Sequence, residues 1–289
     1  MKTALNLREN SLLACDGGGV KGVFSLQLLK KIEAIADAPC HRIFDAIAGT
    51  STGGIIAGLL GYGLNATEVE ALYINFVSSV FIKRNEFSGR YFNLPKYTKD
   101  LFLQALENEI GVDFLVGNCF TKVLITAKNI STDKEIICPD DMPLLRAIEA
   151  TMSAPTYFSP MEYKMELYAD GGTTTFNNPT SLALTDLAWP LDKTTVISIG
   201  TGYSANTKAN YHDNVVFWIE YIMNAAREDA SKMQMEMLRA IPQLDLRRFQ
   251  ALIPPIEMDD VTKFAELQQL GQDFAATLDF LTDPGECHP

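Results

Sequence analysis

The chain has 289 residues, 47% of them hydrophobic, and a formal net charge of −12. That length can bury a large core, while the acidic balance makes nucleic acid, and an anionic membrane without a local basic patch, poor partners for the overall field. Five cysteines at 15, 40, 119, 138 and 287 form no CxxC pair and three histidines at 41, 212 and 288 lie far apart, so reduced thiols are expected and a zinc site is not.

Taken in chain order, Ser11–Cys15 is a short apolar run ending at Asp16-Gly17-Gly18-Gly19, which predicts a buried strand entering a glycine turn. Arg8, Glu9 and Asn10 interrupt the place where a signal peptide needs its apolar stretch. No run approaches the ~20 apolar residues that span a bilayer, so a cytoplasmic protein is expected. Phe24, Leu28, Leu29, Ile32 and Ile35 recur at helical spacing. Phe44–Ala48 repeats the pattern: apolar run, then Gly49-Thr50-Ser51-Thr52-Gly53-Gly54, then a small-residue helix over Ile55–Leu60. Lys122–Lys128 reads as a strand, Leu144–Met152 as a helix, Leu167–Ala169 as a short strand before Asp170-Gly171-Gly172, and Thr194–Ile199 as a buried strand. Helical patterns cover roughly 214–240 and 260–281. Strands alternating with helices imply an α/β fold with a sheet covered on both faces. Glycine loops after such strands are where these sheets place their chemistry.

Three loops carry candidate chemistry. In Gly49-Thr50-Ser51-Thr52-Gly53, small residues two positions either side of a serine permit the tight strand-to-helix turn that exposes a nucleophile. The helix that follows favours developing negative charge at its N-terminus. A serine-capped turn without chemistry has the same local sequence. The run Asp16–Gly22 (DGGGVKG) presents consecutive backbone N–H groups. It reads as an oxyanion hole, a phosphate cradle or a plain tight turn, and matches neither the P-loop nor the dinucleotide fingerprint. Asp170 with Gly171 is a carboxylate on a turn that can approach another loop closely, or an Asx turn. A serine nucleophile needs a base. His212 lies in a polar stretch with no strand-end context, His288 is the penultimate residue, and His41 precedes the serine just before a strand, which leaves an aspartate acting directly on serine as the economical alternative to a histidine triad.

DGGGVKG, GTSTGG and YADGG, in that order, resemble the motifs of the patatin-like phospholipases, as do Asn178-Pro179-Thr180, Val196–Gly202 and the segment 248–270. The resemblance covers about residues 11 to 281. It implies a three-layer sandwich with a mainly parallel central sheet and a single acyl hydrolase domain over 1–289. It implies Ser51 as nucleophile, Asp170 as general base, and Gly17, Gly18 and Gly19 as the oxyanion hole, with Lys21, Gly49, Gly53 and Gly171 in support. Lys21 stands where the family most often has arginine, keeping the charge without the bidentate fork. No metal or cofactor is implied. The dyad is chemically feasible where burial raises the aspartate's pKa toward the working pH.

The implied reaction is release of fatty acid from membrane lipids through a Ser51 acyl-enzyme. Small patatin-like proteins also act as antiphage effectors switched on by cyclic nucleotides, which makes a cyclic nucleotide an expected activator in a second reading. A non-catalytic lipid-binding module is a third. Residues 78–99 are expected to form a lid or insertion. They hold Lys83, Arg84, Arg90, Lys96 and Lys99 beside Phe87, Tyr91, Phe92 and Tyr97. Such an island either meets lipid phosphates in peripheral contact with a membrane or is a solvated loop with its aromatics in the core. Met233, Met235 and Met237, near Trp218, form either core or a methionine-lined acyl groove.

Overall fold

A computed structural model of the chain describes residues 1–81, 95–204 and 228–283. The sheet has eight strands: β1 (Asn10–Cys15), β2 (Ala46–Gly49), β3 (Lys122–Asn129), β4 (Lys134–Ile137), β5 (Met161–Tyr163), β6 (Glu166–Asp170), β7 (Thr194–Ile199) and β8 (Asp245–Phe249). Their order is β5-β6-β3-β2-β1-β7-β8, with β4 pairing to β3. β3, β2, β1, β7 and β8 run parallel, and β4, β5 and β6 add antiparallel pairs beyond them.

The parallel strands are buried on both faces, which is why they read as continuous apolar runs rather than alternating ones. Alternate residues feed two cores. Leu13, Ile47, Val123, Ile125, Ile197 and Phe249 join one, and Leu12, Ala46, Ala48, Leu124, Val196 and Leu246 join the other. The first is covered by α1 (Gly22–Ala36), α3 (Thr52–Tyr62), α4 (Ala66–Val80), α5 (Asp100–Ile110), α6 (Leu144–Thr151) and α9 (Phe264–Thr277). The second is covered by α7 (Thr180–Leu187) and the helical residues 228–239, α8. The result is a three-layer α/β sandwich with a mainly parallel sheet. The short α2 (Cys40–Ile43) leads into β2.

Several elements carry plain local causes. Asn65 caps α4, accepting from the N–H groups of Thr67 and Glu68, while the Glu68 carboxylate accepts from the Asn65 N–H. Phe24 of α1 stacks on Phe274 of α9 with ring centroids 5.8 Å apart. β8 is stranger, since it places two arginines in the interior. Arg247 is 2% exposed and donates to the carbonyl oxygens of Leu5 (2.7 Å), Asn6 (3.0 Å) and Phe280 (3.0 Å) and to Asp245. It thus ties both ends of the described chain to the sheet edge. Cys15, Cys40 and Cys138 are buried free thiols, and Cys119 is a partly buried one. Among the described residues no helix is long and apolar enough to cross a membrane.

Arg247→Met leaves those three carbonyls without their donor. It is expected to lower stability by about 3 kcal/mol, read as a lower urea midpoint at unchanged slope.

Candidate active site

β2 ends at Gly49 and α3 begins at Thr52, so Thr50 and Ser51 make the whole turn. Ser51 has φ 54° and ψ −123°, a conformation that non-glycine residues rarely hold. Close approach forces glycine on both flanks. A Cβ on Gly49 would lie 2.0 Å from the Gly53 carbonyl oxygen, and one on Gly53 would lie 2.1 Å from that of Cys15. The turn is pinned from outside as well. The Ser51 N–H donates to Thr151 Oγ1 at 2.8 Å. Thr50 Oγ1 donates to the Phe176 carbonyl at 2.7 Å and so accepts from Thr126 Oγ1, also at 2.7 Å. Ser51 is 9% exposed and opens onto a pocket.

Asp170 closes β6, paired in register with Ala127 of β3, and is 1% exposed. Its Oδ1 accepts the Gly172 N–H at 2.7 Å, and its own N–H donates to the Ser153 carbonyl at 3.0 Å. The end of α6 and the turn that leaves it, residues 151–153, therefore hold the backbones of both Ser51 and Asp170. Lys99 buttresses that turn from beneath. Its Nζ reaches Ser153 Oγ at 2.9 Å and Glu149 Oε1 at 3.1 Å. Burial pushes the Lys99 ammonium below its usual pKa, and Glu149 pulls it back up.

The glycine loop lies against the serine, since a Cβ on Gly17 would stand 3.0 Å from that of Ser51. The loop does not offer all three N–H groups. The Gly17 N–H is already donated to the Asn177 carbonyl at 3.0 Å, so Gly17 cannot serve as an oxyanion donor in this conformation. No hydrogen bond from the N–H of Gly18 or Gly19 is formed among the described residues. Gly19 sits at φ +57° against the Met258 carbonyl. Its own carbonyl accepts from Tyr73 Oη at 2.6 Å and Thr52 Oγ1 at 2.8 Å. The Lys21 N–H closes the turn onto the Gly18 carbonyl at 3.3 Å. The Lys21 charge acts on Glu228, whose carboxyl burial pushes up and Lys21 pulls down.

Asp16 anchors the loop from below. Arg248 of β8 grips it with both terminal nitrogens, Nη1 to Oδ1 at 2.8 Å and Nη2 to Oδ2 at 2.5 Å. Both residues are buried. Burial pushes the Asp16 carboxyl above its usual range, and the guanidinium opposes that. Arg248 also donates to Ser198 Oγ at 2.9 Å, which in turn accepts from Asn178 Nδ2 at 3.1 Å. The sequence patterns around 178–180, 196–202 and 248 thus converge on one buried polar network. Thr151, Ser153, Tyr73, Asn177 and Lys99 were not legible in the sequence, because each acts through an ordinary hydroxyl, amide, amine or backbone group.

Tyr97 and Lys99 of the basic-aromatic island are turned inward, 2% and 8% exposed, and Lys96 pairs with Asp259. Residues 82–94, with the island's remaining members, lie outside the described residues. Met235 belongs to the core on the opposite face of the sheet from the Ser51 pocket, and Met233 and Met237 are exposed. The methionines beside Ser51 are instead Met152 and Met258. His41 precedes β2 and so stands at the end of the strand away from Ser51, while His212 and His288 lie outside the described residues. Among the described residues no group of three His, Cys, Asp or Glu side chains is placed to hold a metal ion.

A strained serine on a strand-to-helix turn, a glycine loop against it and a buried carboxylate nearby is the layout of the α/β serine hydrolases. The Patatin-like phospholipase family model matches residues 13–184, and the chain belongs to that family. It is 31% identical over 197 residues to the cGAMP-activated phospholipase of Escherichia coli (strain TW11681), covering 61% of this chain and 55% of that protein. It is 31% identical over 219 residues to the Calcium-independent phospholipase A2-gamma of Rattus norvegicus, covering 66% of this chain and 28% of that one. With the cUMP-AMP-activated phospholipase of Escherichia coli it shares 28% identity over 274 residues, 89% of this chain and 82% of that protein. The chain thus spans about half of the first of these relatives and under a third of the second.

Asp16→Ala leaves Arg248 buried and unpaired, and a loss of about 3–5 kcal/mol is expected. The double variant Asp16→Ala/Arg248→Met should recover most of that stability in denaturant unfolding. It should not recover ester hydrolysis, because the glycine loop has lost its anchor.

Proposed function

We propose that the protein is a lipid acyl hydrolase, releasing fatty acid from membrane phospholipid or a related acyl lipid through a Ser51 acyl-enzyme. The observation that carries this reading is the shared segment 151–153, which fixes the backbones of Ser51 and Asp170 against a glycine loop with unspent N–H donors. In this mechanism Asp170 takes the Ser51 proton as Oγ attacks the ester carbonyl. The N–H groups of Gly18 and Gly19 receive the oxyanion, aided by the N-terminus of α3. Protonated Asp170 gives its proton to the leaving alkoxide. Water then attacks the acyl-enzyme as Asp170 takes its proton, and Asp170 returns that proton to Ser51 Oγ as the Oγ–acyl bond breaks and the fatty acid leaves. Gly49 and Gly53 permit the turn, Gly171 lies so close to Thr126 that no side chain fits there, and Lys21 closes the glycine loop. The chain acts as a single catalytic domain in the cytoplasm, in peripheral contact with the membrane that holds its substrate.

Ser51→Ala and Asp170→Asn are each expected to lower kcat by at least about 10³-fold, and the double variant to be no worse than either, since the two act as one unit. Released fatty acid measured by mass spectrometry checks this. A fluorophosphonate probe should label the wild type and not Ser51→Ala. Absence of label on the wild type would instead favour a non-catalytic lipid-binding module.

A regulated version of the same reading is favoured by the match to the cUMP-AMP-activated phospholipase, which runs the length of both chains more fully than the others described. A cyclic dinucleotide then raises fatty acid release from near zero and stabilises the fold, by about 2.7 kcal/mol at a hundred times Kd. Thermal unfolding and fatty acid release, each with and without cUMP-AMP and cGAMP, measure the two effects. Equal activity with and without them removes the regulatory reading and leaves the hydrolase.

A further inference from the structure

The pocket beside Ser51 is apolar, lined by Ile55, Val77, Phe81, Met152, Phe158 and Met258 among others. Its volume is about 40 Å³, whereas an apolar cavity of roughly 150 Å³ is the size that takes up benzene. An acyl chain of ten or more carbons therefore enters only if the walls part.

Two chain segments distant in sequence supply walls and are joined behind them. One carries Met258, whose carbonyl accepts the Val20 N–H at 2.9 Å. The other carries Tyr157 and Phe158, next to Phe81. Tyr97 lies behind this aromatic wall, its ring centroid 5.0 Å from Phe81, 6.2 Å from Tyr157 and 6.1 Å from Phe158. Backbone bonds from Lys96 N–H to the Thr156 carbonyl (2.9 Å) and from Tyr97 N–H to the Tyr157 carbonyl (2.8 Å) fix the 96–97 stretch to that wall. The Tyr97 hydroxyl crosses over and donates to Asp259 Oδ2 at 2.6 Å, one residue beyond Met258. Lys96 pairs with the same oxygen and lies 5.4 and 5.1 Å from the ring centroids of Tyr97 and Tyr157. A single carboxylate thus binds the Met258 segment to the aromatic one. Asp259 itself is not among the pocket-lining residues.

We propose that Asp259, with Lys96 and Tyr97, is a clasp that sets which acyl chain length gains entry to the pocket beside Ser51. The clasp makes Asp259 a specificity-determining residue outside the reacting groups, and it rests on the reading of Ser51 as the nucleophile of an acyl ester hydrolase. Short acyl groups react with the clasp shut. Long ones must separate Met258 from the aromatic wall, and the free energy of breaking the Asp259 contacts is added to their barrier alone. Burial pushes the Asp259 carboxyl up, and the Lys96 and Tyr97 hydrogen bonds outweigh it and hold the group below its usual pKa.

The experiment compares kcat/KM for p-nitrophenyl butyrate and p-nitrophenyl palmitate in mixed micelles. Asp259→Ala is expected to raise the palmitate-to-butyrate ratio about tenfold, with butyrate hydrolysis near the wild-type rate. Tyr97→Phe and Lys96→Met should raise it less, and Asp259→Glu should stay close to wild type. Tyr97→Phe removes one hydroxyl and keeps the ring, so it reports even where Asp259→Ala unfolds in a thermal scan. An unchanged or lower ratio overturns the clasp. So does an equal loss on both esters, which would place Asp259 behind the glycine loop through Met258. Hydrolysis of neither ester by the wild type, both without and with cUMP-AMP or cGAMP, would falsify the hydrolase reading, and the clasp with it.

Discussion

Gly53 lets the first turn of α3 press against the Cys15 carbonyl, the point where β1 gives way to the glycine loop. No side chain fits between them, and the Thr50 N–H, which donates to the same Cys15 carbonyl at 3.3 Å, adds a hydrogen bond to that close packing. The approach costs a strained Ser51 backbone, and that strain persists only because surrounding bonds over-determine it. Thr151 holds the Ser51 N–H, Thr126 and the Phe176 carbonyl hold Thr50, and Thr52 and Tyr73 hold the far side of the glycine loop through the Gly19 carbonyl.

Polar groups in the interior do the remaining positioning. Asp16 and Arg248 join β1 to β8 through β7's Ser198, and Lys99 with Glu149 supports the turn that carries Asp170. Such pairs add little net stability over apolar side chains of the same size. Their value lies in direction, because a bidentate guanidinium accepts one carboxylate orientation where a leucine would accept many. The Asp259 cluster uses the same chemistry nearer the surface, where bonds to one carboxylate are strong enough to hold and weak enough to be exchanged.

The elements that the sequence revealed were those with a repeating pattern or a glycine signature. β1, β2, β3, β7, α1, α3 and α6 fall where their apolar runs and periodicities place them. α4 has a local signature of another kind, the capping pair Asn65 and Glu68, which lies outside the apolar periodicity that marks the other helices. β8 was obscured for a physical reason: Asp245-Leu246-Arg247-Arg248-Phe249 reads as a charged surface segment. Its arginines are interior only because carbonyls of Leu5, Asn6 and Phe280 and the carboxylate of Asp16 are brought to them by distant parts of the chain. Lys99 reads as one of a run of surface cations on the same grounds and is buried for the same kind of reason, its ammonium met by Ser153 and Glu149.

Ser51 and Asp170 each sit on a tight turn that local sequence reads equally well as a plain turn, and only the order of the three glycine motifs, through the family resemblance, singles them out. Glycine spacing determines where a backbone can turn sharply, so it marks the loops, their order and the residues they expose. It does not determine which N–H groups those loops leave free. Gly17 looked equivalent to its two neighbours until Asn177, 160 positions away, claimed its hydrogen. Nor does it determine the size of the space beside the serine, which depends on how Met258 and an aromatic wall are drawn together. Hydrogen bonds between residues distant in the chain have no local signature, and for that reason only the tertiary structure decided them.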